Sequence, residues 1–294
     1  MTDFPDTYLQ CGRFRLTIDG PAFRPLVMGV LNLTPDSFSD GGRFASLDAA
    51  ITQAEHMIEA GVDIIDIGGE STRPGASPVP VDEELRRVMP AIYALRDCGK
   101  PLSIDTRRPE VMREAIEAGA DMINDINGFR AEGGLRLLRD SDCALCIMHM
   151  QGQPQTMQQD PQYVDVVAEV GSFLAAQAQA AQAAGISRKR LCVDPGFGFG
   201  KTLEHNLRLL ASLGQMQQAL GLPLLAGLSR KGMIGTLTGK PAAERMPGSV
   251  AAALFAAAQG ARILRVHDVA ETVDAIRVWQ AAATAARAME AARH

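Results

Sequence analysis

Short apolar runs recur along the chain, and several of them break off at a polar residue. Leu102-Ser103-Ile104 stops at Asp105, Met122-Ile123 at Asn124-Asp125, Leu191-Cys192-Val193 at Asp194, and Ile263-Leu264 at Arg265. Each run has the length of a buried parallel strand, and each is followed by sequence of helical period. Strands are expected at Leu26 to Leu31, Ile64 to Gly68, Leu102 to Asp105 and Met122 to Asp125. Four more are expected at Cys143 to Met148, Leu191 to Asp194, Leu224 to Gly227 and Ile263 to Val266.

Between them the period predicts helices. The first runs from Ser46, a suitable N-cap, to Ala60, and the second from Val81 to Leu95. The third starts at Pro109 and repeats Val111, Ala115 and Ala118 on one face. A short helix near Gly134 to Asp140 follows, then a long one from Asp165 to Ala184 that uses Val166, Val170 and Phe173. The sixth carries Leu203, Leu207 and Leu210, the seventh spans Pro247 to Gln259, and the eighth starts at Asp268 with Val269, Val273 and Ile276 on one face. Ahead of all these, Cys11 to Ile18 with Asp19-Gly20 reads as a short β-hairpin (about 11–20), a lid for the closed end of a barrel. Eight strand–helix units imply an α/β fold of the (β/α)8 TIM-barrel class, with a barrel core of about 26–280 in a single domain 1–294. A doubly wound open sheet is the alternative, but it would not need eight units.

Composition narrows the class. Of 294 residues, 47% are apolar and only 5% aromatic, which suits a helix-rich α/β enzyme rather than an all-β or disordered chain. A net charge of −5 without long runs of either sign argues against a nucleic-acid partner. No apolar stretch approaches a membrane span, and Met1-Thr-Asp-Phe-Pro-Asp6 lacks the features of a signal peptide, so a cytoplasmic protein is expected. Cys143 and Cys146 have CxxC spacing, but three residues apart along a strand they face opposite ways. They read as core cysteines of a reducing compartment, not metal ligands.

In a barrel of this kind, chemistry gathers at the C-terminal ends of the strands and in the loops that follow. Asp105 and Asp194 suit a ring with adjacent N–H donors, such as a 2-amino-4-oxo-pyrimidine, because a carboxylate accepts two parallel hydrogen bonds. Asn124 offers a donor and an acceptor for the rest of that edge, and Arg265 can stack on a flat heterocycle or reach a phosphate. His267, Arg73, Thr72 and Ser71 suit a pyrophosphate, and Asn32 could supply an oxygen to Mg²⁺. The sixth tip, Asp194-Pro-Gly-Phe-Gly-Phe-Gly-Lys201, lets backbone approach a flat ligand, and it lacks the spacing of a dinucleotide-binding glycine signature. Taken singly, each residue has a structural reading too: a buried strand Asp usually satisfies backbone donors, and Asn124-Asp125 could cap a loop.

Together these segments resemble the dihydropteroate synthase family. The resemblance rests on Met28-Gly-Val-Leu-Asn-Leu-Thr-Pro-Asp-Ser-Phe-Ser-Asp-Gly-Gly42 and Asp66-Ile-Gly-Gly-Glu-Ser-Thr-Arg-Pro-Gly75. It continues through Ser103-Ile-Asp-Thr106, Ile123-Asn-Asp125, Asp194 to Lys201, Leu228-Ser-Arg-Lys231 and Arg265-Val-His267. It implies a transferase of folate biosynthesis that joins 6-hydroxymethyl-7,8-dihydropterin diphosphate to p-aminobenzoate and releases pyrophosphate, with Mg²⁺ as cofactor. It implies Asp105, Lys231, Arg265 and His267 as catalytic residues, and Asp105, Asn124, Asp194, Lys231 and Arg265 as the pterin pocket. Asn32, Thr72, Arg73, Arg265 and His267 would face the pyrophosphate, with Asn32 on the metal. Phe38, Thr72, Arg73, Pro74, Phe199, Ser229 and Lys231 would form the p-aminobenzoate site, where sulfonamides compete. A homodimer is implied as well, often through the last helices. Good departure of pyrophosphate and a dihydropterin able to stabilise a cationic methylene suggest an SN1-like order of events.

The rivals are a pterin-binding methyltransferase domain and a non-catalytic pterin-binding paralogue. The first would lack Thr34-Pro-Asp-Ser-Phe-Ser39 and the Arg73 loop, and the second should have lost Lys231 or Arg265. A Schiff-base aldolase would want its lysine within a strand, whereas Lys231 lies beyond one.

Overall fold

A computed structural model describes residues 7–20, 24–34, 43–73 and 75–291. It opens with an antiparallel hairpin, β1 (Tyr8–Cys11) and β2 (Phe14–Thr17). Strands β3 (Leu26–Asn32), β4 (Ile64–Gly68), β5 (Leu102–Asp105) and β6 (Met122–Asp125) then alternate with helices α1 (Arg43–Ala60), α2 (Val81–Leu95), α3 (Pro109–Ala118) and α4 (Gly134–Arg139). Strand β7 (Ala144–Met148) leads to α5 (Val166–Ala183), and β8 (Leu191–Asp194) to α6 (Leu203–Ala211) and α7 (Leu213–Leu220). Strand β9 (Leu225–Ala226) precedes α8 (Gly232–Thr238) and α9 (Met246–Ala258), and β10 (Ile263–Val266) precedes α10 (Val269–Ala291).

The eight later strands pair in parallel in the order β8-β7-β6-β5-β4-β3-β10-β9. A parallel bridge between Val193 and Leu224 joins the first of these to the last and closes the ring. The fold is the expected (β/α)8 barrel. Local chemistry fixes the ends of the helices. Asp82, Glu83 and Glu84 fill the first turn of α2, where negative charge complements the helix dipole. Pro109 opens α3 and left-handed Gly119 ends it, while Thr202 and His205 form a reciprocal capping box on α6.

Strand periodicity sorts the core into two layers. Positions such as Val27, Leu31, Ile65, Ile67, Ile104 and Ile123 face the helices and join one large apolar cluster with them. The alternate positions face the barrel axis, and at its N-terminal end they are apolar: Met28, Ile64, Met122, Ala144, Cys146, Cys192, Leu225 and Ile263. Leu9 and Cys11 of the hairpin pack into this second cluster, so the hairpin does plug the closed end. Cys143 and Cys146 fall in different clusters, as opposite-facing core cysteines should, and all five cysteines are free.

Several expectations need correction. The hairpin spans 8–17 because its turn falls at left-handed Gly12, held by Gln10 Nε2 donating to the Gly12 carbonyl at 2.6 Å. Helix α1 begins at Arg43, so Ser46 is not its N-cap; Arg43-Phe-Ala-Ser46 contains no residue that would stop the helix extending upstream. The seventh strand shrinks to two residues, since Pro223 cannot donate a ladder bond and the Leu224 carbonyl is shared between the Arg262 and Ile263 N–H groups instead of keeping ladder register. Units six and seven each carry two helices instead of one. Leu207 is 40% exposed, because α6 turns Asn206 inward, where it donates to the Thr202 carbonyl at 2.6 Å and accepts from Gly198 N–H at 2.7 Å.

Candidate active site

Along the axis-facing positions, the C-terminal half of the barrel changes character. Above the apolar layer stand Asp66, Ser103, Asp105, Asn124, Asp194 and Arg265, all of the same strand parity as the buried residues beneath them. Pairing aligns Asn32 with Gly68, Gly68 with Asp105 and Asp105 with Asn124, so these side chains share one level. Gly68 keeps that row open: a Cβ there would lie 3.6 Å from Asn32 Oδ1 and 3.7 Å from the Asp105 Cβ.

Arg265 binds the level together. Its Nε donates to Asp66 Oδ2 at 2.6 Å and its Nη2 to Asp105 Oδ2 at 2.8 Å. Asn124 Nδ2 also donates to Asp66 Oδ2, at 3.3 Å. In this layer Asp66 Oδ1, Asp105 Oδ1, Asn124 Oδ1 and the Ser103 hydroxyl are buried with no hydrogen-bond partner among the described residues, and the first three can only accept. An unpaired buried acceptor costs free energy on the order of 1–3 kcal/mol, so such a set implies a ligand that donates. Above them lies an open recess bounded by Asp105, Asn124, Asp194, Lys231 and Arg265, with Phe197, Phe199, Met148 and Ile126 as its apolar walls.

The electrostatics follow from burying so many charges together. Desolvation pushes Asp105 up to about 7, with Asp66 adding to the rise and Arg265 opposing it. Burial raises Asp194 too, against the Gly196 N–H it accepts at 2.7 Å. Burial alone would depress Arg265, but Asp66 and Asp105 hold it above its usual value, so it is always a cation. Lys231 sits with Nζ 4.0 Å from the centroid of the Phe199 ring, and desolvation with Arg265 lowers it to about 8. His267, beyond the end of β10, is lowered to about 4 by burial and by Arg265, so it offers a neutral imidazole rather than a charge. Ser229 Oγ accepts the His267 backbone N–H at 3.2 Å and lies 3.0 Å from Nδ1, an arrangement that anchors the ring through Nδ1 and keeps Nε2 out of this pair.

The sequence profile described as Pterin binding enzyme matches residues 28–267. The dihydropteroate synthase of Escherichia coli (strain K12) is 51% identical over 262 residues, covering 89% of this chain and 93% of that protein. That of Neisseria meningitidis serogroup C is 50% identical over 276 residues, covering 92% and 96%. This chain belongs to the dihydropteroate synthase family. The Burkholderia cenocepacia dihydropteroate synthase complexed with 7,8-dihydropteroate superposes with a TM-score of 0.87 at 54% identity, over 96% of this chain and 98% of that one. The Xanthomonas albilineans dihydropteroate synthase with 4-aminobenzoic acid gives 0.87 at 52% identity, over 94% and 98%. Dihydropteroate synthases are transferases, and the methyltransferase and non-catalytic readings give way to that one. Among the described residues, no helix is long and apolar enough to cross a membrane.

Against this family background, the structure gathers most of the expected site residues. Asp105, Asn124, Asp194, Phe199, Lys231 and Arg265 bound the recess, Ser229 and His267 form a pair beside it, and Asn32 stands at its level. Thr72 and Arg73 are not among the residues bounding the recess; they lie in the loop after β4, with Arg73 exposed. Phe38 and Pro74 fall outside the described residues.

Two residues escaped the sequence reading. Asp66 was overlooked because it stands inside a strand rather than at its tip, although a lone carboxylate within Ile-Ile-Asp-Ile is itself a signal. Glu70 is the other: it accepts the Val79 N–H at 3.0 Å and pairs with Arg107 and Arg108 at 3.1 and 3.0 Å, tying both ends of the second loop to the barrel. Burial pulls Glu70 upward, yet these hydrogen bonds and the two arginine charges bring it below its usual value. Asp125, by contrast, faces outward and accepts the Asn127 and Phe129 N–H groups at 2.7 and 2.8 Å, which makes it a loop cap.

Proposed function

We propose that the recess holds the pterin of 6-hydroxymethyl-7,8-dihydropterin diphosphate and that the chain condenses this substrate with p-aminobenzoate to give 7,8-dihydropteroate and pyrophosphate. The observation that carries the reading is the set of unpartnered acceptors, Asp66 Oδ1, Asp105 Oδ1 and Asn124 Oδ1, at and beneath a recess with apolar walls. A 2-amino-4-oxo-pyrimidine edge presents N–H donors to such acceptors, while its faces lie between Phe197, Met148 and Arg265. Relatives bound to 7,8-dihydropteroate and to 4-aminobenzoic acid support both halves of the reaction. A Yersinia pestis relative in a sulfonamide drug complex supports competition at the p-aminobenzoate site.

Phe199, Ser229 and Lys231 present a ring, a hydroxyl and an ammonium for p-aminobenzoate, and the cation suits its carboxylate. None of the three is a base at neutral pH, which suits an SN1-like order. The methylene C–O bond breaks first, with its electron pair leaving on pyrophosphate. Asp66, Asp105 and Asp194 stabilise the cationic pterin methylene electrostatically, and Arg265 with the imidazole of His267 balances the leaving anion. The aryl amine nitrogen then forms the C–N bond and releases a proton to solvent. Positional isotope exchange within the diphosphate, in the absence of p-aminobenzoate, tests this order; scrambling is expected, and its absence together with a kinetic isotope effect showing C–N bond formation concerted with departure would exclude it.

Mg²⁺ fits the donors as an ion carried mainly by substrate. Among the described residues no group of three or more His, Cys, Asp or Glu could hold a metal, and Asn32 Oδ1 is a single oxygen on the level of Asp105. Asn32 would hold such an ion together with the substrate diphosphate, and the ion would supply charge neutralisation to the leaving group. The chain acts as a homodimer in this reading, supported by Phe255 on α9 and Val278 on α10, which are 47% and 72% exposed. Sedimentation of Phe255→Glu against the parent chain tests that point, with a shift to monomer expected.

The deciding experiment follows pyrophosphate and dihydropteroate together from the pterin diphosphate, p-aminobenzoate and Mg²⁺. Equal amounts of both products are expected. Pterin binding without either product, in folded protein, would return the chain to a binding role.

A further inference from the structure

Behind the wall that carries Phe199 lies a charge that the reaction as described does not use. Lys201 is 3% exposed. Its Nζ donates to the Gly196 carbonyl at 2.9 Å and the Phe199 carbonyl at 3.0 Å, and it lies 2.9 Å from His149 Nδ1. An ammonium has three N–H bonds, and these contacts use all of them.

The segment that Lys201 grips has little conformation of its own. Gly196, Gly198 and Gly200 are all left-handed, at φ of 71°, 78° and 61°, and they alternate with the two phenylalanines. Glycine resists ordering more than any other residue, so such a run needs external ties to hold one shape. The ties are visible at every second position. Asp194 Oδ1 accepts the Gly196 N–H at 2.7 Å, Asn206 Oδ1 the Gly198 N–H at 2.7 Å, and the Gly200 carbonyl accepts from Tyr163 Oη at 2.9 Å. The backbone is also pressed against β7: a Cβ on Gly196 would lie 1.9 Å from the His149 carbonyl. Phe199 has its own N–H tied back to the Gly196 carbonyl at 3.1 Å, and Lys201 holds both that carbonyl and the Phe199 carbonyl. One ammonium thus fixes both ends of the tight turn that aims the Phe199 ring, and that ring in turn seats Lys231 Nζ at 4.0 Å.

We propose that Lys201 is a positioning residue for p-aminobenzoate: through the Gly196 and Phe199 carbonyls it sets the Phe199 ring and, through the ring, Lys231. The proposal rests on the synthase reading given above. It predicts a division between the two substrates. The hydrogen bonds that join Asp66, Asp105, Asn124 and Arg265 run between β4, β5, β6 and β10 and not through the turn, so these deep pterin contacts survive its loosening, and only Asp194 and Phe197 pass a smaller share of the change to the pterin. Burial lowers Lys201 to about 7, which shows how strongly the surroundings resist the charge that the three acceptors require.

The test is steady-state kinetics of Lys201→Met, which keeps an unbranched apolar stem and removes the donors. KM for p-aminobenzoate is expected to rise about tenfold, with KM for the pterin diphosphate changed by less than about twofold and kcat by less than about threefold. Unchanged values of both KM, or equal rises in both, would overturn the proposal and leave Lys201 a stabilising residue. Should Lys201→Met fail to fold, Lys201→Gln keeps a neutral two-donor head but falls short of the Gly196 and Phe199 carbonyls together. A rise of about threefold confined to p-aminobenzoate is then expected, and no change in it would overturn the proposal. A parent chain that makes no dihydropteroate would defeat the synthase reading itself, a result distinct from either failure.

Discussion

The two ends of the barrel are built from the same strands with the same alternation, yet they hold opposite contents. At the hairpin end, Met28, Ile64, Met122, Cys146 and Ile263 meet Leu9 and Cys11 on the axis, and the one buried carboxylate beside them, Asp121, is satisfied by the Leu102 and Arg13 N–H groups. Four residues or fewer further along those strands, the axis is occupied by three carboxylates, a carboxamide and a guanidinium. Burial of apolar surface stabilises the first end, at roughly 25 cal/mol per Å². Burial of charge works against the second, as the upward displacement of Asp105 and Asp194 records. Stability is supplied at one end and drawn on at the other, which is how a site can carry unsatisfied acceptors without the chain unfolding.

Asp105→Asn should separate the ends most sharply. Loss of the carboxylate charge is expected to lower kcat/KM by about 10²- to 10³-fold, on the order of 3–4 kcal/mol. The thermal midpoint should stay within about 2 °C or rise, because the carboxylate is already costly to bury. A large fall in the midpoint would break the comparison. The mirror experiment is Met122→Ala at the closed end. A loss of about 3 kcal/mol in urea unfolding is expected, with kcat/KM of the folded protein within about twofold of the parent. Activity falling in step with stability would mean that the ends are not separable.

Smaller effects sharpen the picture at the rim. Glu70→Gln weakens the ion pairs that hold the second loop while leaving every group in the recess in place. Its kcat/KM should fall about tenfold, about 1.4 kcal/mol, and limited proteolysis between Ser71 and Val79 should quicken. An unchanged rate at both would show that the loop holds its shape without the clamp. The smallest effect is on pH dependence. Asp105 must lose its proton, near 7, and Lys231 must keep its own, up to about 8. Activity therefore falls on the acid side as Asp105 is protonated and on the alkaline side as Lys231 is deprotonated. The value of kcat/KM at pH 6.5 and 8.5 should be about two- to threefold below that at 7.5. A flat profile over that range would remove one of the two groups from the reacting set.

Much of this was legible in the sequence because both layers obey local rules. Runs such as Leu102 to Asp105 announce a buried strand and its polar tip in the same few letters, and Arg265-Val-His267 shows by alternation alone that its two cation-capable groups share a face. What could not be read depends on distant partners. Nothing in the sequence joins Glu70 to Arg107 and Arg108, or Lys201 to His149, because those pairings exist only after α2, α3 and β7 have packed. The stripe of α6 was misjudged at Leu207 for the same reason: Asn206 turns inward to serve Gly198, a demand made by another loop. Asp66 is different, since a lone carboxylate inside an apolar strand is a signal in itself, at a strand's interior instead of its tip.

The closure of the ring has a consequence for how the molecule yields. The seam runs between β8 and β9, where one bridge, Val193 to Leu224, does what whole ladders do elsewhere. Its two sides carry different halves of the site, Asp194 and the glycine turn on one and Gly227, Ser229 and Lys231 on the other. A barrel with one thin stave opens there before it melts anywhere else. The Leu225 amide hydrogen, turned toward the seam, would then exchange ahead of those in β4 or β5, and each such opening would part the two sides of the recess while the hairpin end stayed shut.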